Sequence, residues 1–203
     1  MHRPSLPEDL LPADRLWARA VLLHLFDADI TFDGDEVLCP DGGGGSWWWS
    51  LGRRPDGRAF FWGQDADGSH GHLRDDPVDF LAGGPEWLPW DELRHEAAGM
   101  TIGYLYWWQD GAWARAPYPD DLEDDGLAMS VPWAGGGPEG VLAQTPVEGR
   151  ESEEAVLAFL DRLERGTADE AAVRALAGAL RGGDDPALDP DRALASLRAA
   201  GLV

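Results

Sequence analysis

The sequence predicts an α+β fold: an antiparallel sheet built from aromatic-rich hairpins, with an N-terminal helix and a C-terminal three-helix segment. Three observations carry that reading. Turn signals at Pro55-Asp56-Gly57 and Asp110-Gly111 each separate two aromatic runs. Apolar residues recur at helical spacing between Pro12 and Phe26. From Glu148 onward the composition turns to Ala, Leu, Arg and Glu, with no tryptophan and Phe159 the only aromatic residue. The expected organisation is therefore a sheet domain over 1–147 and a small helical segment over 148–203, packed on that domain or on a partner.

In the first helix Leu16, Ala20 and Leu23 recur beside Trp17, Val21 and His24, a broad apolar stripe on which His24 reads as a half-buried core residue. Ile30, Phe32 and the segment Val37 to Cys39, broken by Asp and Gly, predict one or two short strands. Gly42 to Ser46 has the composition of a linker, and no strand-loop-helix context or lysine makes it a phosphate cradle.

Three consecutive tryptophans follow, Trp47 to Trp49. With the turn at Pro55 to Gly57, Trp47 to Leu51 and Ala59 to Trp62 form an antiparallel hairpin. If Gly52 faces Ala59, Leu51 pairs with Phe60 and Trp49 with Trp62, and these share one face with Trp47. Trp48, Ser50 and Phe61 share the other. Large aromatics on both faces predict a central strand covered on both sides; a ligand-stacking platform is the alternative. A short helix follows, from the Pro89 to Asp91 region to Gly99.

Asp110-Gly111 is a two-residue type I′ loop that pairs Gln109 with Ala112. Ile102, Tyr104, Tyr106, Trp108, Trp113 and Arg115 then lie on one face. Gly103, Leu105, Trp107, Ala112, Ala114 and Ala116 lie on the other, a small-residue face suited to close helix packing. Arg115 opposite Tyr106 marks the aromatic face as partly wet, or as a cation–π contact sealing a boundary. Of the three C-terminal helices, Ser152 caps the first, which ends at Gly166. Thr167 and Glu170 form a capping box for the second, which ends at Gly182-Gly183. Asp189-Pro190 opens the third, which closes at Gly201.

The formal net charge is −22, from 38 acidic and 16 basic residues, and every basic residue is arginine. A field of this sign repels phosphate backbones and anionic membrane surfaces and steers basic proteins or metal cations inward. The chain is thus expected to bind neither nucleic acid nor membrane. It has a single cysteine, Cys39, beside Val37-Leu38, which reads as an inert buried thiol in a reducing compartment. The N-terminus has acids and prolines where a secretion signal needs a basic then apolar run, so the expected location is cytoplasmic.

Catalytic signatures are few. No HExxH, GxSxG, Rossmann glycine set or CxxC pair occurs, and no cofactor is called for. His70 and His72, which on a strand would project to the same face, are with Asp65 or Asp67 candidate ligands for a divalent metal. Asp120, Asp121, Glu123, Asp124 and Asp125 form an acidic run that reads as a solvated loop, and the calcium-loop pattern is absent from it.

The favoured function is a non-enzymatic, strongly acidic protein-binding domain, such as an immunity protein or antitoxin neutralising a basic partner. Its surface would be Tyr104, Tyr106, Trp108, Trp113 and Arg115, with Asp120, Asp121, Asp124 and Asp125 steering the encounter. The alternatives are a small metal-dependent or carbohydrate-directed enzyme and an accessory domain of a larger assembly.

Overall fold

The computed structural model describes residues 1–42, 46–72, 74–180 and 187–203. Six strands form one antiparallel sheet in sequence order: β1 (Thr31–Phe32), β2 (Glu36–Gly42), β3 (Trp47–Arg53), β4 (Ala59–Asp65), β5 (Tyr104–Gln109) and β6 (Ala112–Arg115). The helices are α1 (Ala13–Phe26), α2 (Trp90–Ala98), α3 (Leu127–Ser130), α4 (Glu139–Leu142), α5 (Arg150–Glu164), α6 (Glu170–Ala179) and α7 (Pro190–Ala199). The α+β prediction holds, and α3 and α4, each a single turn, are additions to it.

The second hairpin has the expected register. Gln109 pairs with Ala112, Trp108 with Trp113 and Tyr106 with Arg115, and Asp110 and Gly111 both have positive φ, 55° and 82°, as a type I′ loop requires. The first hairpin is shifted by one residue: Arg53, not Gly52, pairs with Ala59, so Leu51 meets Phe61 and Trp49 meets Gly63. The cause is Gly57, whose φ of 85° makes a three-residue loop between Arg54 and Arg58 in place of a two-residue one. Phe60 consequently lies beside Gly52, where a Cβ would stand 2.1 Å from the Phe60 ring.

Both faces of the sheet are covered. On one face Trp49, Leu51, Phe61, Tyr104, Tyr106 and Trp113 join a core that also contains Leu16, Trp17, Trp133, Phe159, Leu176 and Leu197. On the other, Phe60, Trp62, Leu105 and Trp107 pack with Val78, Phe80, Leu88, Leu93 and Leu122. The tryptophan triplet serves both sides. Trp49 packs at 4.9 Å on Trp133, Trp48 lies edge-on to Trp62 at 4.9 Å on the opposite face, and Trp47 is partly buried against the larger core.

Two details of the predicted faces change. Ile102 belongs to the second cluster and not with Tyr104, because it precedes β5, where strand alternation no longer applies. The main helical layer sits on the aromatic face rather than on the small-residue one.

The C-terminal helices share their core with α1 and the sheet. The Trp17 indole and the Arg53 guanidinium both donate to the Ala200 carbonyl, at 3.1 and 3.0 Å, and Arg53 lies over the Trp17 ring. Arg19, 1% exposed, donates to Glu164 of α5 at 2.6 Å and to the Trp133 carbonyl at 2.7 Å. The α6 cap lies two residues after the expected one: Asp169, not Thr167, accepts from the Ala172 N–H, while Glu170 pairs with Arg174 and Arg198. α5 starts at Arg150, capped by Gly149 rather than Ser152. Asp189 caps α7 as predicted, accepting from Asp191 and Arg192. The glycines 43–45 and the expected α6 stop at Gly182-Gly183 lie outside the described residues.

Candidate partner-binding surface

The surface expected to meet a partner divides into an interior and a rim. Tyr104 and Tyr106 have no exposed surface, and Trp113 is buried. Trp108 and Arg115 are half-buried. The first three are therefore core residues, out of reach of a docking protein in this fold. Burial also pushes the Tyr104 and Tyr106 hydroxyls well above the ordinary tyrosine range, so both stay neutral donors.

An N-terminal arm covers this edge of the sheet. The Ser5 carbonyl accepts from the Tyr106 hydroxyl at 3.0 Å and from Arg115 Nε at 3.1 Å, and the Leu11 carbonyl accepts from the Trp113 indole at 2.6 Å. Arg115 also donates to the Ala116 carbonyl, and its Cζ stands 3.5 Å from the Tyr118 ring centre. The arginine that marked this face as wet thus finds its partners in carbonyls and a tyrosine ring, as a cation–π seal beneath the arm. Nothing local in the sequence pairs Ser5 with this face; the prolines at 4, 7 and 12, which disfavour helix at the residues before them, are the only hint, and Pro7 opens a single 3-10 turn over Pro7–Asp9.

The acidic run is likewise split. Asp120, Asp121 and Glu123 are exposed, whereas Asp124 is buried and Asp125 has no exposed surface. Asp125 is a structural hub: it accepts from Ser5 N at 3.2 Å, Ser5 Oγ at 3.0 Å and the Tyr106 hydroxyl at 3.2 Å. Longer contacts from the Tyr118 hydroxyl and Leu127 N–H complete its set. Burial raises its pKa, and the Ser5 hydrogen bonds only partly offset that. Asp124 accepts from the Gly126 N–H and lies 3.6 Å from Arg3. The expectation of a solvated loop is corrected for these two residues, which tie the arm and α3 to the sheet. Asp121 accepts from Arg74 at 2.7 Å, which holds its carboxyl below the usual range.

The four candidate metal ligands are not gathered. His70 and His72 lie in a 3-10 turn, not on a strand. His72 Nε2 is 2.6 Å from the Ile102 carbonyl, and His70 faces Glu123 at 3.7 Å. Asp65 is buried and accepts from the Asp67 and Gly68 N–H groups, while Asp67 is exposed. Among the described residues no group of three or more His, Cys, Asp or Glu side chains is placed to hold a metal ion.

His24 is half-buried as expected, held between the Ile30 carbonyl at 2.6 Å and Ser196 Oγ at 3.3 Å. That contact has the first two links of a nucleophile pair, but Ser196 lies inside α7, whose N–H groups are taken up by the helix and offer no oxyanion donors. Cys39 is buried. No helix among the described residues is long and apolar enough to cross a membrane.

The rim that remains accessible lies where the two hairpins turn. Trp108 lines two adjoining clefts there. One, of about 450 Å³, is bounded by Asp56, Arg58, Gln109 and Asp110, and the other, of about 410 Å³, by Pro7, Glu8, Pro12 and Trp113. Sequence reasoning picked out Trp108 but not Glu8, Arg58 or Trp87, which reach this end through the arm, the first hairpin and the loop before α2. Comparison with protein-family models, with curated proteins and with solved structures gives no match, so the surface stands on its own chemistry.

Proposed function

We propose that the chain is a non-enzymatic binding domain for a basic protein, of the immunity-protein or antitoxin kind. The observation that carries the reading is the charge: 38 acidic residues against 16 arginines, a net −22. A field of that strength raises the encounter rate with a cationic protein. Asp120, Asp121 and Glu123 supply exposed carboxylates to the steering surface, and Trp108 and Arg115 are the members of the original aromatic set that keep solvent-facing area. Asp124 and Asp125 act within the fold and belong to the scaffold.

The test uses a partner captured from the native host with the intact chain. Replacing Asp120 and Asp121 by Asn and Glu123 by Gln is expected to slow association at low salt, with little effect at high ionic strength or on dissociation. An association rate unchanged at low ionic strength, in a variant that melts like the parent, would refute the steering role.

A further inference from the structure

The Trp108 clefts lie at one end of the sheet, where the turn at Pro55 to Gly57, the Asp110-Gly111 turn and the Pro7 turn of the arm converge. Trp108 is the last aromatic of β5 before its turn. The Trp113 ring meets it edge-on, at 5.4 Å and 62°, and is fixed there by the indole hydrogen bond to Leu11. Trp108 is therefore a braced ring with open space on two sides. Glu8 and Asp110, both exposed carboxylates, stand at the margins of that space.

A neighbouring pair shows what this arrangement can hold. Arg58 lies over the Trp87 ring, 4.8 Å from its centre, and is itself paired with Asp56. The unit consists of an indole, a guanidinium and a carboxylate. The Trp87 indole N–H donates to Gln109, the residue after Trp108. Trp108 offers the same indole and, in Glu8 and Asp110, the same carboxylate chemistry. Among the described residues no guanidinium lies over it.

Building on the proposed basic partner, we infer that the Trp108 clefts receive an arginine side chain of that partner. Its guanidinium stacks on the indole and pairs with Glu8 or Asp110. Arginine suits the site better than lysine because a planar guanidinium both stacks on a ring and pairs bidentately with a carboxylate. The cleft on the Pro7 side is bounded by Pro7, Leu10, Pro12 and Trp113, apolar surface against which the methylene stem of the incoming side chain packs.

The experiment titrates the full ¹⁵N-labelled chain at low salt with a hexa-arginine peptide, with hexa-lysine and hexa-glutamate alongside. The Trp108 indole N–H resonance is assigned from its loss in Trp108→Leu. The expected result is a saturable shift of that resonance with hexa-arginine, a weaker one with hexa-lysine and none with hexa-glutamate. Trp108→Leu should weaken binding roughly five- to thirty-fold. Glu8→Gln with Asp110→Asn keeps the ring and should also weaken binding, so a poorly folded Trp108→Leu does not remove the test. If hexa-arginine shifts resonances of residues 120–123 and leaves Trp108 unmoved, this docking site is wrong while the basic-partner reading stands. If no resonance moves at low salt, both fail.

Discussion

Arg19 offers the sharpest test of how this fold is held together. Its guanidinium is almost without solvent contact, donating to Glu164 Oε1 at 2.6 Å, the Trp133 carbonyl at 2.7 Å and the Gly137 carbonyl at 3.2 Å. It therefore joins α1 to α5 and to the loop after Trp133. In Arg19→Met the apolar stem remains, but the Glu164 carboxylate keeps only Arg15, and the carbonyls of Trp133, Gly137 and Gly136 lose a donor. Removing one partner of a buried pair costs about 3–5 kcal/mol. At this chain length 1 kcal/mol moves Tm by about 2–4 °C, so the expected loss is roughly 6–20 °C.

Arg15 is the internal control. It contacts the same carboxylate with a side chain 40% exposed, and an exposed pair contributes about 0.2–1 kcal/mol. Arg15→Met should accordingly shift Tm by only a few degrees. Chemical denaturation gives the free energies, and combining Arg19→Met with Glu164→Leu should recover part of the loss by removing a carboxylate left with Arg15 alone. Equal destabilisation by Arg15→Met and Arg19→Met would show that the burial argument is wrong.

Three further predictions concern local structure. Asp125→Ala strands the Ser5 N–H and hydroxyl, while Tyr106 keeps the Ser5 carbonyl as acceptor, and should cost on the order of 3 kcal/mol, whereas Asp125→Asn keeps an acceptor and should cost much less. The pH dependence has a definite sign. The folded-state pKa of Asp125 lies above its unfolded value, so its favourable contribution is present at acid pH and is lost as pH rises through the folded value. Relative to the parent, Asp125→Asn should thus fare better at pH 7 than near pH 4, and melting curves showing the opposite trend would contradict the burial assignment. Asp169→Ala should cost about 1 kcal/mol by removing the α6 cap, while Thr167→Ala should stay within about 0.5 kcal/mol; the reverse order would restore Thr167 as the cap.

What could be read from the sequence alone was whatever short-range rules decide. The Asp110-Gly111 turn needs positive φ at two adjacent residues, which this pair supplies, and every pairing from Gln109 back to Tyr106 follows by alternation. Asp189-Pro190 likewise starts a helix through contacts with the next three residues. The slip in the first hairpin shows where such rules stop: Pro55-Asp56-Gly57 fits both a two- and a three-residue loop, and one residue of difference puts Phe61 rather than Phe60 on the face of Trp49 and Leu51.

The candidate site lay mostly beyond that limit. An aromatic, arginine-bearing strand face has the same sequence pattern whether it faces water, a partner or the protein's own arm. The difference is made by Ser5, which is 120 residues from Asp125 and 101 from Tyr106. An acidic run reads as solvated because buried carboxylates are costly without donors, and the donors that admit Asp125 come from that arm and from β5. Charge is a sum over the chain and is legible in composition, but which charges are buried depends on long-range contacts that only the tertiary structure decides.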